Sequence, residues 1–424
     1  MSRVQVMSRL LEASKLLNST LDLKELLQII LNLATQSCKA DRGTIYLIDR
    51  KTNEIWSHVM QENSGIEIRL PLGEGIAGYV GSTGETINLK DAYKDPRFSR
   101  KTDLVSGFRT TSMLTMPMRN SVGKIIGVFQ LLNKEKGKFN KQDEEYLSLL
   151  SVHASLAIEN AMLHRKAIEQ ESIEKELDIA ASIQRLLLPK NIPQIEGLSI
   201  SAFNIPSRSV SGDFYDIIKL SDTRVLVIIA DVAGKGVPAA LLVSSMQAWL
   251  HALVGGAEDL KILVTKLNKA IQEGTTVERY ITFFAILIDT ERKEIEYVNA
   301  GHLPQLFISN GSIQELTVGG FPLGIFPDSS YESASLDFNS GDAIALFTDG
   351  ITEAVINHSL HSEKDFHPKE IDFFGDERVY EFFKKSASLP FDSVLPTLLE
   401  EINKHLHQEH VNDDLTSVYI RTFS

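Results

Sequence analysis

An α+β chain of two folded parts joined by a long helix is what these 424 residues predict. Three observations carry it. The first third alternates short strand-like runs with glycine-rich turns. Then Lys138 to Leu188 contains neither glycine nor proline. From about residue 192 onward, strand-like and helix-like stretches alternate over the length of one more domain. The composition, 43% hydrophobic and 23% charged, suits domains that each bury an apolar interior.

In chain order, Asp22-Leu-Lys-Glu25 has the form of a capping box, and Leu26, Leu27, Ile30 and Leu33 come after it at helical spacing. Strand-like runs come next, at 43–48, 54–59, 66–70, 111–118 and 123–132, with 73–84 read as glycine-rich turns. They predict an antiparallel sheet flanked by helices. The glycine-free stretch repeats apolar residues at Leu149, Val152, Leu156, Leu163, Ile173, Leu177, Ala180, Ile183 and Leu187, opposite charges such as EQESIEKE. As one helix it would span roughly 75 Å, a length that usually packs on a second copy or bridges domains. Pro189 and Pro193 end it.

Charge and composition exclude several functions. The net charge of −13 opposes a phosphate backbone, so no nucleic-acid partner is expected. Apolar runs such as Val225 to Ala230 fall short of the ~20 residues a membrane helix needs, and the N-terminus has no signal-peptide core. A cytoplasmic protein with no membrane partner is expected. One cysteine, Cys38, rules out an intrachain disulfide and a thiolate-rich zinc site. Any metal must therefore be held by oxygen or imidazole.

Carboxylates supply the chemistry. Asp213 lies in SGDFYD, Asp231 in VLVIIADVAGKG, Asp349 in AIALFTDGITEA, and Asp413 with Asp414 in VNDDLTSVYI. Two of these directly follow apolar strands, which places them at a sheet edge. One such aspartate is usually a turn residue or helix cap. Several from distant parts of one domain, each beside glycine or a tight turn, suit a hard divalent cation such as Mg²⁺ or Mn²⁺. Gly234-Lys235-Gly236 lacks the spacing of a nucleotide-binding loop. His302 is either a general acid or a structural residue. His251, His358, His361, His367, His405, His407 and His410 are read as surface residues, and 357–376 as a solvated flap.

The motifs GDFYD, ADVAGKG, NAGHLP, PLGI, FTDGITEA and DDLT, after the entry sequence IQRLLLP, resemble in order the SpoIIE/RsbU branch of the PPM metal-dependent protein phosphatases. The resemblance runs from about Ile183 to Ile420. It implies an α-β-β-α sandwich of two sheets with a dinuclear Mn²⁺ or Mg²⁺ site, and water-driven hydrolysis of phosphoserine or phosphothreonine without a covalent enzyme intermediate. In this branch the substrate protein is commonly an anti-sigma-factor antagonist. Carried over by motif, Asp231 bridges both ions and the Val232 carbonyl ligates one. Asp349 and Asp413 hold the second ion, and Asp213 serves the first or its water shell. Asp414 stays open as the alternative to Asp413, because distant relatives have DN where this chain has DD.

Residues from about Asn18 to Leu163 resemble a GAF domain through DRGTIYLID, PLGEGIAGYVGSTGETINLKDAY, DPRF, MLTMPM and the set Asn133, Lys134, Phe139, Asp143, Glu144. That set is similar to GAF domains of cyclic-nucleotide phosphodiesterases. It implies cAMP or cGMP as a regulatory ligand, with Thr44, Ile76, Ala77, Asp103, Ser106 and Thr110 at the matching positions. The bland alternative makes Lys134 and Asp143 a structural ion pair in a pocket for another ligand or none. The expected layout is a sensor over 1–165, a helical linker over 166–190 that pairs two copies into a homodimer, and a phosphatase over 191–424. A ligand-gated docking protein with an inactive phosphatase half is the competing class. A phosphodiesterase is not expected, since its paired His and Asp motifs are missing.

Overall fold

A computed structural model describes residues 17, 20–60, 68–100, 103, 108–256, 259–275, 279–355, 372–407 and 411–423. It divides into two units, Met1–Ser172 and Ile173–Ser424. Each is built around sheet faces that its own helices cover.

In the first unit, α1 (Leu23–Cys38) starts where Asp22 accepts a hydrogen bond from the Glu25 amide at 2.8 Å. Such a cap is worth about 1 kcal/mol. Only half of the capping box forms, because the Glu25 carboxylate turns to the Thr20 hydroxyl at 2.7 Å. Strands β1 (Ala40–Asp49), β2 (Glu54–Met60), β3 (Arg69–Pro71), β4 (Ile87–Leu89), β5 (Met113–Arg119) and β6 (Ile125–Lys134) form an antiparallel sheet in the order β3-β2-β1-β6-β5-β4. Alternation along β1 sorts the two faces. Ile45 and Leu47 point to α1 and join Leu26, Ile30, Phe129 and Leu150 in one core. Tyr46 points the other way, into a cluster with Ile76, Ala77, Val80 and Met113.

The glycines at 73–84 are not a run of turns. They contain a helix, α2 (Gly75–Thr83), and its glycines answer to packing. A Cβ on Gly78 would stand 2.7 Å from the Pro71 carbonyl, and one on Gly81 would press on Leu72, Ile55 and Val128. The expectation of turns fails here because a packing glycine and a turn glycine look alike in one dimension.

Helix α3 (Lys141–Arg185) is uninterrupted over 45 residues, about 68 Å at 1.5 Å per residue. Asn140 caps it by accepting from the Gln142 and Asp143 amides at 2.8 and 3.2 Å. The division between the units falls within it. Leu149, Val152, Leu156, Leu163 and Ile173, at heptad spacing, remain about half exposed.

The second unit has four layers, as the family resemblance implies. Strands β8 (Asp213–Lys219), β9 (Arg224–Val232), β10 (Ile281–Asp289), β11 (Glu294–Ala300) and β14 (Gly319–Gly320) make one sheet in the order β14-β11-β10-β9-β8, with β15 (Ala334–Asp337) paired to β11. The other sheet runs β13-β12-β16-β17-β7, from β13 (Ser312–Leu316), β12 (Gln305–Ser309), β16 (Ala343–Phe347), β17 (Leu415–Thr422) and β7 (Leu198–Ile205). Ile217, Val227, Phe284 and Ile286 meet Phe307, Ile344, Leu346 and Val418 between the sheets. Helices α4 (Val237–Val254) and α5 (Leu260–Gly274) cover the first sheet. After the short α6 (Asp349–Thr352), helices α7 (Asp376–Lys385) and α8 (Val394–His405) cover the second.

By length and composition α4 could cross a bilayer. Its Ala239, Leu242, Val243, Met246 and Leu250 are instead buried in the core on the first sheet. Two histidines expected to be plain surface residues have partners. His251 on α4 pairs with the buried Asp216 at 2.7 Å, and His405 meets Arg378 and the Asp372 carbonyl, each at 2.9 Å. His358, His361, His367 and His410, and the predicted flap up to residue 371, lie outside the described residues.

Candidate metal centre and ligand pocket

The acidic residues gather because strands end there. Asp231 closes the apolar run of β9, and Asp213 opens β8 directly opposite it in register. Asp349 follows β16 after one residue, Thr348, and Asp413 and Asp414 lead into β17, the neighbour of β16. Gly350 makes the crossing possible: a Cβ there would lie 2.0 Å from the Asp414 carbonyl oxygen and 3.3 Å from Asp413 Cβ.

Burial separates the five into two kinds. Asp231, Asp349 and Asp413 are half-buried, whereas Asp213 and Asp414 are 4% and 7% exposed. Asp414 spends its oxygens on the loop before β8. Oδ1 accepts from the Ser207 amide and hydroxyl at 2.7 and 2.9 Å, and Oδ2 from the Ser211 hydroxyl and Gly212 amide at 2.8 and 2.7 Å. Those four donors fill a carboxylate's acceptor positions. Asp213 accepts from the Thr348 hydroxyl at 2.6 Å.

Electrostatics ties the group together. Burial, then Asp349, Asp413 and Asp414, push Asp231 up to about 7. Burial and Asp231 hold Asp213 well above the carboxylate range, and burial with Glu353 and Asp413 raises Asp349. Carboxylates that raise a neighbour's proton affinity in this way lack full countercharge. The cation that offsets part of this repulsion is Lys235, whose Nζ stands 2.7 Å from Asp413 Oδ2 and 3.3 Å from the Asn412 carbonyl. In kind, these oxygen donors fit a hard divalent cation. As placed, no three His, Cys, Asp or Glu side chains among the described residues stand close enough to grip one ion. The Val232 carbonyl faces the same corner, 3.4 Å from where a Gly212 Cβ would lie.

His302 is structural by its contacts. Burial pushes its imidazole down to about 4, so it is neutral. Nε2–H donates to the Phe347 carbonyl at 3.2 Å, which leaves Nδ1 to accept from the Thr282 hydroxyl at 2.7 Å. Neither nitrogen is left for a leaving group. Two further contacts escaped sequence reading. Besides the Lys235 pair, Gln184 at the end of α3 donates to the Ser211 carbonyl at 2.7 Å and accepts from the Ser211 amide at 2.9 Å. The only trace of the second was the motif IQRLLLP.

In the first unit, Thr44 and Tyr46 share the β1 face that also receives Ile76 and Ala77 from α2. Asp103 and Thr110 bind each other: Asp103 accepts from the Thr110 amide and hydroxyl, both at 2.8 Å, and from the Tyr93 hydroxyl at 3.0 Å. Ser106 lies outside the described residues. The set from Asn133 to Glu144 works as scaffold. Lys134 is paired with Asp143, Asn133 accepts from the Thr111 amide at 2.6 Å, and Glu144 accepts from Asn88 at 2.6 Å.

Two sheets face to face between helix layers, with acidic residues at the strand ends, define a PP2C-type phosphatase fold. The PP2C domain of SiaA from Pseudomonas aeruginosa superposes on 60% of this chain and 99% of that one, with a TM-score of 0.51 at 22% identity, a likeness of fold. Residues 221–423 match the stage II sporulation protein E (SpoIIE) family, and residues 22–158 match the GAF domain. The chain is 29% identical over 254 residues to phosphoserine phosphatase RsbU of Bacillus subtilis, a span of 59% of this chain and 71% of that protein. It is also 35% identical over 154 residues to the probable 3',5'-cyclic phosphodiesterase pde-5 of Caenorhabditis elegans, covering 34% of this chain and only 21% of that one. The chain thus carries a GAF domain followed by a protein serine/threonine phosphatase domain of the SpoIIE type.

Proposed function

We propose that this protein is a cytoplasmic, ligand-regulated phosphatase that hydrolyses phosphoserine or phosphothreonine on a partner protein, an anti-sigma-factor antagonist, with two Mn²⁺ or Mg²⁺ ions. The observation that carries it is the half-buried trio Asp231, Asp349 and Asp413, gathered from the ends of both sheets, in which Asp349 and Asp413 raise Asp231 and Asp413 raises Asp349. Asp231 with the Val232 carbonyl would hold one ion and share the other with Asp349 and Asp413. Bound there, divalent cations activate water and offset charge on the phosphoryl oxygens. Asp213, locked to Thr348, and Asp414, locked to the 207–212 loop, hold the ligating corner in shape. The saturation of Asp414 supports Asp413 as the ligand of the pair.

Cyclic nucleotide, cAMP or cGMP, is the proposed ligand of the first unit. Support comes from the match to part of a cyclic phosphodiesterase and from the Asp103–Thr110 clasp in the same unit as the Thr44, Ile76 and Ala77 face. We take 1–165 as sensor, 166–190 as linker and 191–424 as phosphatase, with the exposed heptad residues of α3 joining two copies.

The test is aryl-phosphate hydrolysis by the purified full chain. EDTA should silence it and Mn²⁺ restore it, while Asp231→Asn should lower the rate by about a hundredfold or more, the scale of a lost electrostatic partner in a catalytic site. The melting temperature of that variant should not fall, since a group that folding must partly discharge has been removed. An inactive wild type would leave only a docking module. Calorimetry should show micromolar cAMP or cGMP binding, and none would remove the ligand assignment.

A further inference from the structure

Lys235 sits in the turn between β9 and α4, flanked by Gly234 and Gly236 at φ 107° and 80°, with no described atom within 4 Å of either glycine's Cβ position. Packing against the two glycines does not fix the turn. The lysine nevertheless reaches across 178 residues of sequence to a single carboxylate oxygen, Asp413 Oδ2. The other oxygen, Oδ1, already accepts from the Asp414 amide at 2.9 Å. Each oxygen keeps a second acceptor position, but a divalent cation drawn to Asp413 meets the repulsion of an ammonium already seated on the same carboxylate. The amide belongs to backbone anchored by the four contacts of Asp414, so the ammonium is the one that can leave. Both partners are partly solvent-exposed, 45% for the lysine and 34% for the aspartate, and pairs this exposed exchange readily.

We propose that Lys235 is a built-in counter-ion of the metal centre, closed on Asp413 when the ligating corner lacks a divalent cation and released when one binds. The proposal rests on the metal reading above and assigns Lys235 a positioning role. Its ammonium lowers the repulsion among Asp231, Asp349 and Asp413, which lets them stay together without metal. It also makes ion binding a competition. Because Gly236 is the N-cap of α4, the release is felt where that helix begins.

Titrating Mn²⁺ alone into the full chain by calorimetry tests this without relying on turnover. Lys235→Gln should bind Mn²⁺ about two- to fivefold more tightly, the worth of an exposed ion pair, and Lys235→Arg should stay near wild type. In an Asp413→Asn background, the gain from Lys235→Gln should shrink to what the lysine's longer-range charge costs at Asp231 and Asp349. Unchanged or weaker affinity in Lys235→Gln overturns the proposal, provided Asp231→Asn abolishes binding in the same assay. If the wild type takes up no Mn²⁺, or Asp231→Asn leaves uptake intact, the metal reading itself fails and Lys235 falls with it.

Discussion

Asp413 and Asp414 are chain neighbours with opposite duties. One is half-buried and engaged by a solvent-exposed ammonium; the other is buried and saturated. Burial likewise separates Asp231 from Asp213 across a β pair. His302 shows how burial settles a residue's role. Its folded pKa of about 4 lies below the ordinary 6.5, so on acidification the unfolded chain takes up a proton that the folded chain refuses. Its stabilising contribution is complete above pH 6.5 and is lost as pH falls toward 4, by at most about 3 kcal/mol at 1.36 kcal/mol per pKa unit. Denaturant unfolding of the second unit should therefore lose stability over that window less steeply in His302→Gln than in wild type; equal slopes would show that the imidazole charges in place. The candidate carboxylates were legible because apolar strands announce where a chain surfaces. The partners of Lys235, Gln184 and His302 were not, since each depends on segments that meet only after both sheets have formed.

Element scale is where sequence patterns told most. The antiparallel sheet of the first unit, the long α3 and the alternation of the second unit all arise from period and from punctuation by Gly and Pro. The exception, α2, hid behind glycines that exist for close approach to Pro71 and Leu72. Helix α3 offers the sharpest test. It is a stiff element over 45 residues, and an insertion near Glu171 rotates every residue downstream of it about the helix axis. Two added residues give a turn of about 200°, whereas seven nearly restore the face. If α3 transmits the ligand signal, the two-residue insertion should abolish or invert the effect of cyclic nucleotide on aryl-phosphate turnover, and the seven-residue insertion should keep it. The coupling at stake is on the order of 1 to 3 kcal/mol, about 5- to 150-fold in activity. Equal regulation in both variants would reduce α3 to a tether.

For the whole molecule, the half-exposed Leu149, Val152, Leu156, Leu163 and Ile173 form the apolar stripe on which the proposed pairing of two copies rests. Sedimentation of the 47.2 kDa chain should give twice that mass, and Val152→Glu with Leu156→Glu should return it to one copy with both units folded. A wild type that sediments as a monomer at micromolar concentration would refute the pairing. The strand order of the second unit has a consequence for how the protein is made. Its last strand, β17, lies between β16 and β7, and the residues just before it supply both Asp413 and the clasp on the 207–212 loop. A nascent chain still short of Asp413 leaves β16 and β7 without the strand between them and lacks the carboxylate proposed above as a metal ligand. On that reading, the ribosome would complete the first unit and α3 before the phosphatase could cut its first phosphoester, and a chain arrested before Asp413 should be inactive.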